Sequence, residues 1–219
     1  MVELTREEQR VLGCLIEKEA LTPDQYPLTL NSLLLACNQT TNRDPIVLFD
    51  RETVTNALAS LREKQLTRVV YPAHARATKY RQVIGEVWAL TDQEQAVLAV
   101  LMLRGPQTTG ELKARTDRYA NFEDLGGVDG VLDRLASRPK PMVTRVGRLP
   151  GQREERFAHL LGGQVDGGPD EAAALPQVRP PSTAGIEAEV RALRTEVDAL
   201  RQDVNRLLEH VTGSLTTDG

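Results

Sequence analysis

The chain has 219 residues, 26% of them charged and 40% hydrophobic, with a formal net charge of −4, which is ordinary for a folded protein with one large core or two small ones. No window approaches the ~18 apolar residues of a membrane span. The start, MVELTREEQR, also lacks the basic stretch and apolar run of a secretory signal, so a cytoplasmic protein with no membrane partner is expected.

In chain order, the first element is a helix that opens on Thr5, with Glu8 placed to complete a capping box and an apolar stripe behind it. Cys14 on this helix and Cys37 further on both lie among leucines at helical spacing, which reads as two reduced core thiols. Next comes TPDQYPLTLNSLLLACNQTTNRDP, Thr22 to Pro45, dense in polar residues. Within it Leu30, Leu33, Leu34 and Cys37 predict a short second helix capped by Thr29, with Asn31 and Asn38 stacked on one side. Asn42-Arg43-Asp44-Pro45 is turn chemistry, because Asn and Asp bond their own backbone, Pro fixes φ, and Arg offers five donors. A third helix carries Val54, Leu58 and Leu61 inward. Alternating segments at Leu66 to Val69 and Tyr80 to Trp88 then predict a hairpin.

The pattern repeats. Leu4-Thr5-x-x-Glu8-Gln9-x-Val11-Leu12 returns 86 residues on as Leu90-Thr91-x-x-Glu94-Gln95-x-Val97-Leu98. Val54 and Leu58 return at an offset of 74 as Val128 and Leu132, and Leu66-Thr67-Arg68-Val69 at 77 as Val143-Thr144-Arg145-Val146, followed by a second strand over Arg153 to His159. The first copy is therefore 12 residues longer within the polar stretch. Three helices and a hairpin in about 80 residues is the order of a winged helix. The fold class expected is mainly α with small β-hairpins (α+β), as two tandem winged-helix domains, 1–90 and 91–161, with almost no linker between them.

Residues 162–185 hold five Gly and four Pro without apolar period, as in a flexible tether. From Ile186 to Val211 the apolar positions are spaced 4 and 3 alternately, with Val190, Val197 and Val204 at a and Leu193, Leu200 and Leu207 at d. β-branched a with Leu d predicts a parallel two-stranded coiled coil over 186–212, hence a homodimer; a lone amphipathic helix packed on its own domain is the alternative.

The bases are clustered. Arg62, Lys64, Arg68, Arg76, Lys79 and Arg81 fall at the first hairpin with only Glu63 among them, and Arg145, Arg148, Arg153 and Arg156 fall at the second. Such edges suit the phosphates of double-stranded DNA, with Asn56 on the third helix able to reach a base. The same bases could instead be solvated or paired with acids elsewhere, including the acidic tail. The third helices themselves are poor groove readers, since Glu52 and Glu63 share the outward face of the first and Asp129 and Asp133 that of the second. A protein-docking module is the rival expectation.

Chemistry has few footholds. CxxC, HExxH, GxSxG and phosphate-loop motifs are missing, and the three histidines, His74, His159 and His210, are scattered, so no enzyme, metal or cofactor is expected. The polar stretch is the one candidate. Tyr26, Asn31, Asn38, Asn42, Arg43 and Asp44 read as a hydrogen-bonded clasp between the second and third helices or as a partner surface.

On these residues, and on LRGPQTTGEL (Leu103 to Leu112) and GQREERFAHLL (Gly151 to Leu161), the sequence resembles the YceH family of bacterial proteins over roughly its first three quarters. The resemblance implies a tandem winged-helix fold, often a coiled-coil C-terminus, and no established biochemical function or catalytic residues. Leu35 departs from the pattern, standing where a polar residue is expected.

Overall fold

The computed structural model describes residues 3–71, 77–146 and 155–163, all within the first of two units into which the chain divides, 1–177 and 178–219. The predicted tether from residue 164 onward, the coiled coil and Arg76, Arg148 and Arg153 lie outside the described residues. Seven α-helices and two small antiparallel sheets make up what is described, an α+β arrangement.

Helix α1 (Arg6–Leu21) starts where the sequence says it must. The Thr5 side chain accepts from the Glu8 N–H at 3.2 Å while Glu8 Oε2 accepts from the Thr5 N–H at 2.7 Å. A 3₁₀ turn, Pro23–Gln25, and the short strand β1 (Leu28–Thr29) lead into α2 (Leu30–Cys37), capped by Thr29. Asp50 caps α3 (Arg51–Glu63), which buries Val54, Ala57, Leu58 and Leu61 on one face. The hairpin β2 (Thr67–Val70) and β3 (Lys79–Gln82) pairs Arg68 with Arg81 and Val69 with Tyr80.

The structure corrects the reading of the second strand. Residues Tyr80 to Trp88 do not run as one strand: β3 stops at Gln82, and α4 (Ile84–Trp88) turns the chain away, ending at Ala89 with φ of 48°. Gln82 Oε1 accepts from the Ile84 N–H at 2.7 Å, a side-chain bond that breaks the ladder and starts the turn.

The second repeat follows the same path: α5 (Asp92–Arg104), α6 (Thr109–Thr116) and α7 (Leu125–Ala136), then β4 (Val143–Val146) and β5 (Arg156–His159). Helices α5 and α6 each open on a capping box, Thr91 with Glu94 and Thr108 with Glu111. The symmetry extends to a strand the sequence did not reveal. Leu28 of β1 pairs with Tyr80 of β3, and Gln107, just ahead of the α6 cap, bridges Phe157 of β5 in the same sense. The caps Thr29 and Thr108 stand 79 apart, so the 12-residue excess of the first copy divides into 7 before α2 and 5 after it.

One apolar cluster runs through both repeats, from Leu4 through Leu98 and Leu132 to Leu161. Its middle is the crossing of α1 on α5. A Cβ built on Gly13 would stand 2.9 Å from Leu103 Cγ and 3.0 Å from Leu103 Cδ2, closer than packed carbons approach. The Leu4 N–H also donates to the Leu161 carbonyl at 2.7 Å, tying the start of the first repeat to the end of the second. Overpacking of this kind costs about 1–3 kcal/mol, so Gly13→Val is expected to lower the urea midpoint by that much stability, with an unchanged midpoint contradicting the close crossing.

Candidate functional site

The segment Thr22 to Pro45 does three separate jobs. Its first part completes the sheet: Leu28 and Thr29 pair with Tyr80 and Lys79, and Tyr26 Oη accepts from the Gln82 N–H at 2.7 Å. Burial raises the Tyr26 hydroxyl pKa, keeping it neutral. Its middle part, α2, ends on Asn38, which bonds one residue both ways: Asn38 Nδ2 donates to the Phe49 carbonyl and the Phe49 N–H donates to Asn38 Oδ1, each at 2.8 Å. Asn31, from the start of α2, instead accepts from Arg51 at the start of α3. The two asparagines do different things, although both bond to residues at the threshold of α3.

The last part, Asn42 to Pro45, reaches across to the second repeat. Asn42 is left-handed with φ of 59° and accepts at Oδ1 from Arg104 Nη1 at 3.0 Å. The Asp44 N–H donates to the Leu103 carbonyl at 2.9 Å, and the Pro45 carbonyl accepts from Arg10.

Between them Arg43 turns inward, its side chain fully buried. Nη1 and Nη2 donate to the two carboxylate oxygens of Glu17 at 3.0 and 2.6 Å; Nε and Nη2 share the Ala36 carbonyl at 3.2 and 3.1 Å. The Asn42 carbonyl and Gln39 Oε1 accept at 2.8 and 2.9 Å. All five donors of the fork are thereby used, the condition under which a buried guanidinium is tolerated. Desolvation works against the charge, but the Glu17 carboxylate outweighs it and raises the Arg43 pKa.

Cys14 and Cys37, both buried and free, lie against this fork. Arg43 Nη2 stands 3.5 Å from Cys14 Sγ. The hydrogen bond that Cys37 makes with Cys14, together with burial, pushes the Cys37 pKa well up. For Cys14, burial pulls upward, but the bond with Cys37 and the Arg43 charge lower its pKa. The arrangement can hold charge in a dry interior. Among the described residues no histidine bonds either thiol.

The basic residues read from sequence scatter when placed. Lys64 does not face outward; it bonds Glu8 at 2.6 Å and the Glu3 carbonyl at 2.9 Å, closing the end of α3 onto the start of α1. Burial raises the Glu8 pKa, yet the bonds from Lys64, Ser60 and Thr5 outweigh it and leave the carboxyl below its usual range. Arg68 and Arg81 converge on Glu86 of α4, at 3.2 and 3.1 Å. Arg145 meets Glu155 at 3.5 Å and lies 5.6 Å from the Phe157 ring centroid, and Arg156 meets Glu111 at 2.8 Å. Arg62 and Asn56 are exposed on α3, and Lys79 is half-buried in β3.

Glu17, Arg10 and Arg104 were missed by sequence reasoning. The signal was present: Glu17 interrupts the apolar face of α1 one turn after Cys14, and a charge on a buried stripe needs a partner.

Residues 4–152 match a family described as "Protein of unknown function, DUF480". The chain belongs to that family. It is 49% identical over 168 residues to a UPF0502 protein of Pelobacter propionicus, covering 77% of this chain and 76% of that one. It is 46% identical over 195 residues to one of Opitutus terrae, covering 87% and 83%. With the UPF0502 protein YceH of Escherichia fergusonii the identity is 41% over 215 residues, 95% of this chain and 98% of the relative. Among the described residues of this family member no helix is long and apolar enough to cross a membrane.

The two-way bond of Asn38 fixes α2 to Phe49 and hence to α3. Asn38→Ala leaves the Phe49 amide and carbonyl without their partner, so a loss of about 1–3 kcal/mol is expected by urea unfolding, and less than 0.5 kcal/mol would contradict the clasp.

Proposed function

We propose that the chain is a tandem winged-helix protein, with domains over 1–90 and 91–161, that docks a protein partner on its first repeat in the manner of a scaffold or accessory module. The order helix, short strand, helix, helix, strand, strand in the first repeat, matched in the second with a single bridge at Gln107 in place of the short strand, supports the winged-helix reading. The observation that carries the docking reading is how the cations are used. Lys64, Arg68, Arg81, Arg145 and Arg156, five residues that phosphates would need, each have a carboxylate of this chain within 3.5 Å. The exposed face of α7 adds Asp129 and Asp133, and a sequence pI of about 5.5 is far from the basic footprint of a nucleic-acid binder.

The docking face proposed carries two bare leucines on neighbouring segments. Leu35 on α2 is 72% exposed and Leu48, beside Phe49, is 66% exposed, and the Asn38–Phe49 bonds hold their two segments together. Exposed leucines on neighbouring segments suit the apolar centre of a protein interface better than a phosphate backbone. Arg51, Glu52 and Glu63 on α3 would form its polar rim. In this reading the protein acts in the cytoplasm, with 162–185 a flexible tether and 186–212 a parallel coil that pairs two chains, so that two docking faces act together. No catalysis, metal or cofactor belongs to this role.

Duplex DNA, bound by a regulator or nucleoid-associated factor, is the second reading. It is favoured by Arg62 and Lys79, which make no ion pair among the described residues, and by the low worth of exposed pairs such as Arg68–Glu86, about 0–1 kcal/mol, which phosphate can replace.

Two measurements on the full chain decide between them. Fluorescence anisotropy with random duplex DNA across a salt series is expected to give no binding tighter than the ~10⁻⁴ M of weak non-specific contacts at physiological salt; steep salt dependence that flattens in Arg62→Ala/Lys79→Ala would overturn docking in favour of DNA. A photo-crosslinking residue at position 35 is expected to trap a discrete protein in cells, where one at the exposed position 133 does not; equal or no products at both positions would contradict the docking face.

A further inference from the structure

Where α1, the Asp44–Pro45 turn, the end of α5 and strand β5 meet, a cavity of about 130 Å³ opens between the repeats, its wall including Arg6, Gln9, Arg10, Asp44 and His159. That is several times the ~10–15 Å³ that admits one water and below the ~300 Å³ at which pockets for organic ligands begin.

Its polar lining is incompletely satisfied. Arg10 is only 3% exposed; Nη2 donates to the Pro45 carbonyl, but Nη1 has no partner among the described residues. Arg6 Nη1 and His159 Nδ1 are likewise buried and without partners there. A shielded guanidinium nitrogen with an unused donor is costly, and a cation out of water without a counter-charge more so. Burial, with the nearby Arg43 charge, lowers the Arg10 pKa, in contrast to Arg43, which has Glu17. Burial also drives the His159 pKa down to about 4, so its ring is neutral at pH 7.

Water could satisfy the geometry but not the charge. Arg6 and Arg10 supply two positive charges and Asp44 one negative, which leaves an excess of one on the wall. We propose that this cavity is a binding site for a small oxyanion of the phosphate class, held by the Arg6 and Arg10 guanidinium groups, with His159 beside it. The guanidinium fork matches the paired oxygens of such an anion. Asp44 sets the preference within the class: protonated phosphate can donate to a carboxylate, whereas fully ionised sulfate can only repel it. The site uses residues of both repeats and the Asp44–Pro45 end of the polar segment, so occupancy braces the contact between them.

The test is titration of the full chain with inorganic phosphate and with sulfate at constant ionic strength, by calorimetry and by the shift in melting temperature. Saturable phosphate binding is expected, with sulfate at least tenfold weaker. Arg6→Gln, at a half-buried residue whose loss the fold should tolerate, is expected to weaken phosphate at least tenfold, and Asp44→Asn to narrow the gap between the two anions. No saturable phosphate binding in either readout, or equal affinity in wild type and Arg6→Gln, would overturn the proposal and leave the cavity to water.

Discussion

The structure depends on one buried charge. Arg43 lies in the interior between α1 and α2, and every donor on it has an acceptor: the Glu17 carboxylate, the Ala36 and Asn42 carbonyls and the Gln39 side chain. Such a group is stable only if all its partners are delivered at once, so the exit of α2, the left-handed turn at Asn42 and the last turns of α1 are fixed relative to one another. Its neighbours in sequence extend that order outward, Asn42 to Arg104 and Asp44 to Leu103 on α5. The apolar crossing of α1 and α5 supplies close packing, and the polar fork supplies its register.

The two repeats share a plan but not a use. In the second copy the path from α6 to α7 lacks a buried fork, and its hairpin is joined by a single bridge at Gln107 in place of a strand. In the first, the turn after α2 reaches the second copy, and Leu35 on α2 and Leu48 beyond the turn face solvent. Elaboration of one repeat against the other makes the two copies unequal, which fits the proposed docking module better than two equivalent DNA readers. The internal pairing of the bases points the same way, since Glu86 alone holds Arg68 and Arg81.

Much of this could be read from the chain. Capping boxes at Thr5 and Thr91, the apolar stripe of α3 and the 86- and 74-residue offsets are local signals, set by backbone hydrogen bonding and helical period, and they locate the helices well. The misreading of Tyr80 to Trp88 has an equally local cause. Alternation of side chains cannot register that Gln82 takes up the Ile84 amide and ends the strand. Long-range pairings were the illegible part: Arg43 with Glu17 is separated by 26 residues and Lys64 with Glu8 by 56, and no periodicity connects them. Clusters of arginine in sequence therefore overstated the basic surface, because their acids came from other elements.

The claim that the Asn42–Pro45 turn exists to seat a buried, fully bonded arginine is tested most directly by a double-mutant cycle on stability with Glu17→Gln, Arg43→Gln and the pair. Each single change should cost about 3–5 kcal/mol, because it strands the other charge in the interior, and the double change should cost at least ~1 kcal/mol less than the sum of the two. Single losses below about 1 kcal/mol that simply add would contradict it, and would mean that the turn is held by something other than this ion pair.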